Sequence, residues 1–356
     1  MPRFRLTMLR RTMRAQGLDA MLVSSPSGIR YLSGFTGSYG LCVVTLRGAW
    51  CLTDPRYRLQ IREEMRGFRP LVIRASFGEE IARHSLLRGC RTAGIEEADL
   101  TLAAFRSLRR QCAPCSLKPA GDVLSLLMSR KDPVELLHLR RAAGITDKVF
   151  CDILTMIRPG VAERDLAAEI SYRQRRAGAE GDAFDVIVAS GPRSALPHAR
   201  ASAKKIRNGD VVLLDFGCVV AGYHSDMTRT VVVGRAGRAV REVYNIVSRA
   251  QEAGIAALRA GCLAREIDAV VRGLIAREGY RRFYPHSLGH GVGLRVHESP
   301  RLAPRSLDLL EAGNVVTVEP GIYIPDRGGI RIEDIALVTE TGSRVLTASP
   351  KELMIL

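Results

Sequence analysis

The sequence predicts an α/β amino-terminal domain followed by an α+β domain with an internal pseudo-twofold repeat. Three observations predict it. The chain has 356 residues, enough for about two domains with ordinary cores. Its first part alternates helical patterns with short apolar runs. Its second part repeats itself: GDVVLLDFG (209–217) and GNVVTVEPG (313–321) agree at an offset of 104 residues, and RPGVAERDLAAEI (158–170) resembles RAGCLAREIDAVV (259–271) at an offset of 101. Two matches in the same order at nearly the same offset point to a duplicated helix-then-hairpin unit, with a period too long for the usual solenoids.

In chain order, Leu6 to Gln16 carries a helical pattern, and DAMLVSS, LCVVTL, AWCLT and PLVIR read as strands with turn signals between them. That domain covers residues 1–128. Around Ser129–Pro133 lies a linker, in which Asp132 is a helix cap and Pro133 a first helical residue. The helical run VELLHLRRAAGITDKVFCDILTMI then opens a second domain over residues 133–356. Apolar runs such as VVLLDFGCVV are too short to span a bilayer, and the basic start MPRFRLTMLRRTMRAQGLDA lacks the apolar core of a secretory signal. A soluble, cytoplasmic protein with no membrane partner is expected.

The net charge is +16, and residues 1–130 hold 21 Lys/Arg against 10 Asp/Glu. Such a balance raises nucleic acid as a partner, but the arginines are scattered along amphipathic segments without runs or interleaved aromatics, as on a solvated face. Among eight cysteines only Cys112 and Cys115 form a C-x-x-C, and no second pair completes a zinc site. Reduced, mostly buried thiols are expected.

The acids carry the chemistry. Each copy of the repeat places an acid at the same point of its strand, Asp215 in one and Glu319 in the other. Asp215 and Asp226 flank a hairpin whose midpoint, between Val220 and Ala221, puts the two carboxylates opposite each other. Glu319 and Glu333 repeat the arrangement around Asp326. Facing like charges destabilise a strand pair. Either these acids lie on solvated faces, or a cation neutralises them. Only the cation explains why both repeats retain an acid.

The stretch HSLGHGVGLRVHESP (286–300) holds three of the seven histidines, spaced by glycines 289, 291 and 293 that leave room for an approaching group. His290 supplies a nitrogen to the four carboxylates. That donor set suits two divalent ions, with Mn²⁺ foremost and Co²⁺, Fe²⁺ or Zn²⁺ as alternatives. Two-metal sites polarise a carbonyl and activate a water, which is hydrolytic chemistry.

HSLGHGVGLRVHE resembles the signature of the Xaa-Pro peptidases in the methionine aminopeptidase clan, the "pita-bread" metallopeptidases. LDFG, SDMTRT, VEPGIY and RIEDIALVT match in the same order, and PSGIRYLSGFTGS with TDPRY resembles the amino-terminal domain of prolidases, aminopeptidases P and creatinases. The resemblance covers the whole chain. It implies that Asp215 chelates one metal, that His290 and Glu319 chelate the other, and that Asp226 and Glu333 bridge them. Glu319 would also accept the proton of the bridging water, which becomes the nucleophile. His198 would hydrogen-bond the scissile amide region, and His297 would stabilise the tetrahedral intermediate. His286 would line the pocket for the first side chain, and Arg331 would support the bridging glutamate.

Within that family a prolidase cleaves Xaa-Pro dipeptides, whereas an aminopeptidase P removes the first residue of longer Xaa-Pro peptides. Arg301 matches an arginine that some microbial prolidases aim at the proline carboxylate, and a guanidinium suits that contact. The expectation is a prolidase-type dipeptidase, with aminopeptidase P as the alternative, and a homodimer. A metal-free binding module or a nucleic-acid-binding protein is the reading from another class. The five ligand positions are unaltered, which argues against the first.

Overall fold

The computed structural model describes residues 2–356, and the chain divides into two compact units, Met1–Met128 and Ser129–Leu356. In the first unit six strands form one mixed sheet. They are β1 (Ala20–Val23), β2 (Leu41–Thr45), β3 (Ala49–Thr53), β4 (Arg69–Val72), β5 (Thr92–Ile95) and β6 (Ser116–Pro119), in the order β4-β3-β2-β1-β5-β6. β1, buried along its whole length, pairs antiparallel with β2 and parallel with β5. Helices α1 (Pro2–Ala15), α2 (Pro26–Ser33), α3 (Gln60–Glu64), α4 (Phe77–Arg83), α5 (Leu102–Gln111) and α6 (Gly121–Ser129) connect them. The strand segments read from the sequence all form. Cys112 and Cys115 are buried, which pushes both thiols up to about 11, and none of the eight cysteines is bonded.

The second unit opens with α7 (Pro133–Ile153), capped by Asp132, whose side chain accepts from the Val134 and Glu135 amides while Glu135 returns a bond to Asp132. After it come α8 (Glu163–Arg176), β7 (Gly181–Asp182), β8 (Ile187–Ser190), β9 (Val211–Phe216), β10 (Cys218–Val220), β11 (Tyr223–His224) and β12 (Met227–Val232). The second copy begins with α9 (Arg238–Ala257) and α10 (Ala264–Arg277). It continues through β13 (Gly289–Gly291), β14 (Glu298–Leu302), β15 (Val315–Val318), β16 (Gly321–Ile324), β17 (Gly328–Arg331), β18 (Asp334–Val338) and β19 (Ser343–Val345). Both copies thus run helix, helix, two strands, and then a strand paired on both sides: β12-β9-β8 in one and β13-β15-β18 in the other.

Each copy buries its helix pair on its own strands. Val149, Phe150 and Ile153 of α7 and Leu166 and Ile170 of α8 pack on Val212, Leu214 and Phe216 of β9. Val243, Val247 and Ala250 of α9 and Ile267 and Val271 of α10 pack on Val316 and Val318 of β15. Side chains alternate faces along a strand. Asp215 and Glu319 are out of phase with those apolar residues, so both point away from the helices. No helix among the described residues is long and apolar enough to cross a membrane.

The first hairpin corrects the sequence reading. β9 pairs with β12 with Asp215 opposite Thr228, and β10 pairs with β11 with Val220 opposite Tyr223. The turn is therefore Ala221-Gly222, one residue later than expected, and Asp215 and Asp226 are diagonal neighbours on one face. The cause lies in the turn. Ala221 and Gly222 both adopt positive φ, 50° and 79°, as a two-residue hairpin turn of this kind demands. The expected centre would have forced the β-branched Val220 there. The second hairpin keeps the expected register: Val318 faces Asp334 and Gly321 faces Arg331, so Glu319 stands opposite Glu333.

Gly217 falls opposite Asp226, and a Cβ there would collide with the Ser225 carbonyl oxygen. Gly217→Ala is expected to cost about 1–3 kcal/mol through backbone displacement, read as a lower denaturation midpoint together with reduced metal content. An unchanged midpoint would reject this register.

Candidate active site

Asp215, Asp226, His290 and Glu333 are 8, 5, 8 and 2 % exposed, which rules out solvated hairpin faces for this cluster. Asp226, His290 and Glu333 bring one ligand atom each within 4.8 Å of one another. Glu319 completes the ring, its Oε1 lying 3.4 Å from His290 Nε2, and Asp226 Oδ2 lies 3.7 Å from the same nitrogen. His290 Nδ1 sits 3.1 Å from the Gly291 carbonyl, which can only accept. Nδ1 therefore carries the proton, and Nε2 turns its lone pair toward the two carboxylates.

Burial pushes the acids up. Asp226 and Glu333 rise well above the usual carboxylate range through burial first and then through neighbouring acids, Glu333 acting on Asp226 and Glu319 on Glu333. Burial raises Glu319 to about 8, against the opposing pull of Arg331, and raises Asp215 despite the same guanidinium. Burial lowers His290 to about 4, assisted by His297, so that imidazole is neutral at physiological pH.

Arg331 is buried beside these acids. It donates Nη2 to Asp215, Nε to Thr228 Oγ1 at 2.9 Å and Nη1 to Tyr323 Oη at 2.8 Å. Thr228 Oγ1 in turn donates a hydrogen bond to Glu333 Oε2 at 2.6 Å. The arginine thus hydrogen-bonds Asp215 directly and is linked to Glu333 through Thr228. Tyr323 Oη bonds to His286 Nε2 at 3.0 Å, while His286 Nδ1 meets the Ser287 carbonyl at 2.8 Å. Burial, then Arg331, holds His286 down to about 4.

The other expected residues lie nearby. His297 is exposed and packs its ring edgewise on His290 at 4.2 Å between centroids. His198 is exposed on the segment after β8 and acts electrostatically on Asp215, His286 and His297. Arg301 is the cross-strand partner of His290, so the two side chains share a face. Its charge lowers both His290 and His297. One expectation fails. Gly289 and Gly291 do not make room for a peptide: a Cβ at either would strike the Thr317 or Ser299 carbonyl oxygen of the neighbouring strand.

Sequence reasoning missed Thr228, Thr317 and Tyr323. Thr317 Oγ1 accepts from the His290 amide at 3.0 Å and lies 3.4 Å from Glu319 Oε1. All three stand two or four residues from an acid on the same strand path, so the two-residue period would have placed them on its face.

Residues 138–340 match metallopeptidase family M24, and residues 5–127 match the creatinase/prolidase N-terminal domain. The chain belongs to metallopeptidase family M24. It is 37% identical to the Xaa-Pro dipeptidase of Pyrococcus furiosus over 98% of this chain and 99% of that one. Among solved structures it resembles the Xaa-Pro dipeptidase from Bacillus anthracis, at 40% identity and a TM-score of 0.97 with both chains fully covered. It also resembles the X-Pro aminopeptidase from Thermotoga maritima, at 35% identity and a TM-score of 0.90 over 97% of this chain and 100% of that one.

An M24 metallopeptidase uses divalent metal ions, and the residues present fit them. Asp215 Oδ1 is buried without a hydrogen-bond partner, an open donor of the kind a cation takes. The unprotonated His290 Nε2 facing two carboxylates is a second.

Metal uptake by the chelated M24 chain is expected to release protons at neutral pH. The raised carboxylates, with Glu319 at about 8, hold protons that an ion displaces. The histidine at about 4 holds none to give. Affinity should therefore climb as pH rises through about 8. Titration calorimetry in two buffers of different ionisation enthalpy measures the release, and heats independent of buffer would contradict it.

Proposed function

We propose that this chain is a dinuclear-metal Xaa-Pro dipeptidase of the prolidase type, with Mn²⁺ as its ion. The observation that carries this is the convergence of four carboxylates and one neutral imidazole, ringed by three histidines that make no carboxylate contact. Asp215 would hold one ion, His290 and Glu319 would hold the other, and Asp226 and Glu333 would serve both. When bound, such ions supply Lewis acidity, polarising the scissile carbonyl and lowering the pKa of a water.

The protein's own groups do the rest. Glu319 would accept a proton from the attacking water once ion uptake has displaced its own. His297, beside His290, faces the charge that develops on the scissile oxygen. His198 reaches the amide, and His286, fixed by Tyr323, shapes the pocket for the first side chain. Arg301, on the His290 face, offers a guanidinium to the carboxylate of a terminal proline. A homodimer in the cytoplasm belongs to the same reading and rests on the family resemblance.

The chelated protein should be inactive on Xaa-Pro substrates and recover with Mn²⁺ or Co²⁺. His297→Ala should retain wild-type metal content and lose about 100- to 1,000-fold in kcat. Collapse of metal occupancy in that variant would mean that His297 is a ligand.

Aminopeptidase P activity on longer peptides is the second reading, favoured by the likeness to the Thermotoga maritima X-Pro aminopeptidase. Arg301→Ala separates the two. A charge-assisted contact is worth about 1.5–3 kcal/mol, or roughly 10- to 100-fold in binding. KM for a dipeptide such as Ala-Pro should rise by that factor, with little change for a longer peptide of the same start. Equal loss on both substrates, or a wild type that prefers the longer one, would establish aminopeptidase P.

A further inference from the structure

We propose that Lys131 is a positioning residue for turnover, acting through Glu298 to fix the loop that aims His297; this rests on the function proposed above. A lysine is rarely buried without a reason. The Lys131 side chain is 1% exposed and its Nζ lies 2.7 Å from Glu298 Oε2, itself on a side chain 7% exposed. The lysine backbone is fixed as firmly as its ammonium. Its amide donates to the Gly313 carbonyl at 2.8 Å, Arg130 bridges to Asn314, and Asn314 Nδ2 holds the Ser129 carbonyl at 3.1 Å.

Glu298 adjoins His297 in sequence. β13 and β14 pair Gly291 with Glu298, so residues 292–297 form a loop closed at that point. The second carboxylate oxygen of Glu298 accepts from the Arg295 amide at 3.0 Å inside the loop. Gly293 lets the loop fold over that carboxylate, because a Cβ there would strike it, and the Gly293 carbonyl is held by the His224 amide at 2.8 Å. The carboxylate thus organises the turn from inside while Lys131 holds the carboxylate from outside. His297 lies exposed, its ring packed against His290. Its aim depends on the backbone that carries it.

The test is a double-mutant cycle on the metal-loaded full chain, with Lys131→Met, His297→Ala and both together. Lys131→Met should keep wild-type metal content and lower kcat about tenfold or more, with KM moving less than about threefold. In the His297→Ala background the same substitution should change kcat by less than about threefold, because residues acting as one unit are not additive. Hydrogen exchange of the chelated protein should speed up over residues 292–298. Independent, multiplicative losses overturn the proposal, as do metal loss in Lys131→Met or unchanged exchange. If Lys131→Met fails to fold because Glu298 is left charged and unpaired, Lys131→Met with Glu298→Gln carries the same cycle, with the same outcomes deciding. A wild type inactive on Xaa-Pro substrates would refute the proposed function alone, and the exchange measurement would still decide the clamp.

Discussion

Four carboxylates share one buried face, and their mutual repulsion governs the rest of the structure. Burial pushes every one of them upward, and neighbouring negative charge adds to it at Asp226, Glu319 and Glu333. A single guanidinium, Arg331, stands among them, and it is committed to Asp215. One positive charge cannot offset four negative ones in a low dielectric. Protons make up the difference in the ion-free site, and divalent cations displace them on binding. The site is thus built as an unfavourable arrangement that its ions make favourable.

The duplicated architecture is what brings such charges together without unfolding the domain. Each repeat seals one face of its central strand with a helix pair, using Val212, Leu214 and Phe216 in one copy and Val316 and Val318 in the other. The intervening positions then belong to the opposite face. Apolar packing worth tens of contacts therefore sets the direction of each acid. Links such as the Glu333 amide to the Thr228 carbonyl at 3.1 Å, and Thr230 Oγ1 to the Arg331 carbonyl at 2.8 Å, stitch the two copies beside the acids.

Much of this was legible in the sequence because its period is short and repeated. The largely apolar runs VVLLDF and VVTVE mark their acids as exceptions, and the offset between copies pairs them. The register of the first hairpin was not legible from symmetry of the acids. A two-residue turn with positive φ chooses Ala221-Gly222 over a site containing Val220, and that local steric preference shifts the pairing by two. The partner of Arg331 was equally hidden. Two positions before Glu333 on the same path, it shares that residue's face, but it contacts Asp215 of the other repeat. Contacts between copies carry no period.

Two kinds of holding coexist at this site, and they divide its residues by function. The proposed ligands Asp215 and His290 lie within paired strands, and Asp226, Glu319 and Glu333 directly adjoin them, so sheet hydrogen bonds fix their spacing. His198 and His297 lie on loops, where no ladder sets the backbone. Each loop is instead gathered by a buried carboxylate. Glu163 takes the Ser190 amide at 2.8 Å, Arg193 Nε at 3.0 Å and Ser202 Oγ at 2.6 Å around the His198 segment, while Glu298 does the same for the His297 loop. A strand resists small displacements collectively, whereas a loop held by one carboxylate moves when that carboxylate loses a partner. On the proposed roles, ion binding and turnover are separable: changes in the strands would strike metal affinity, and changes in the loop clamps would strike the positioning of groups that act only on the reacting bond.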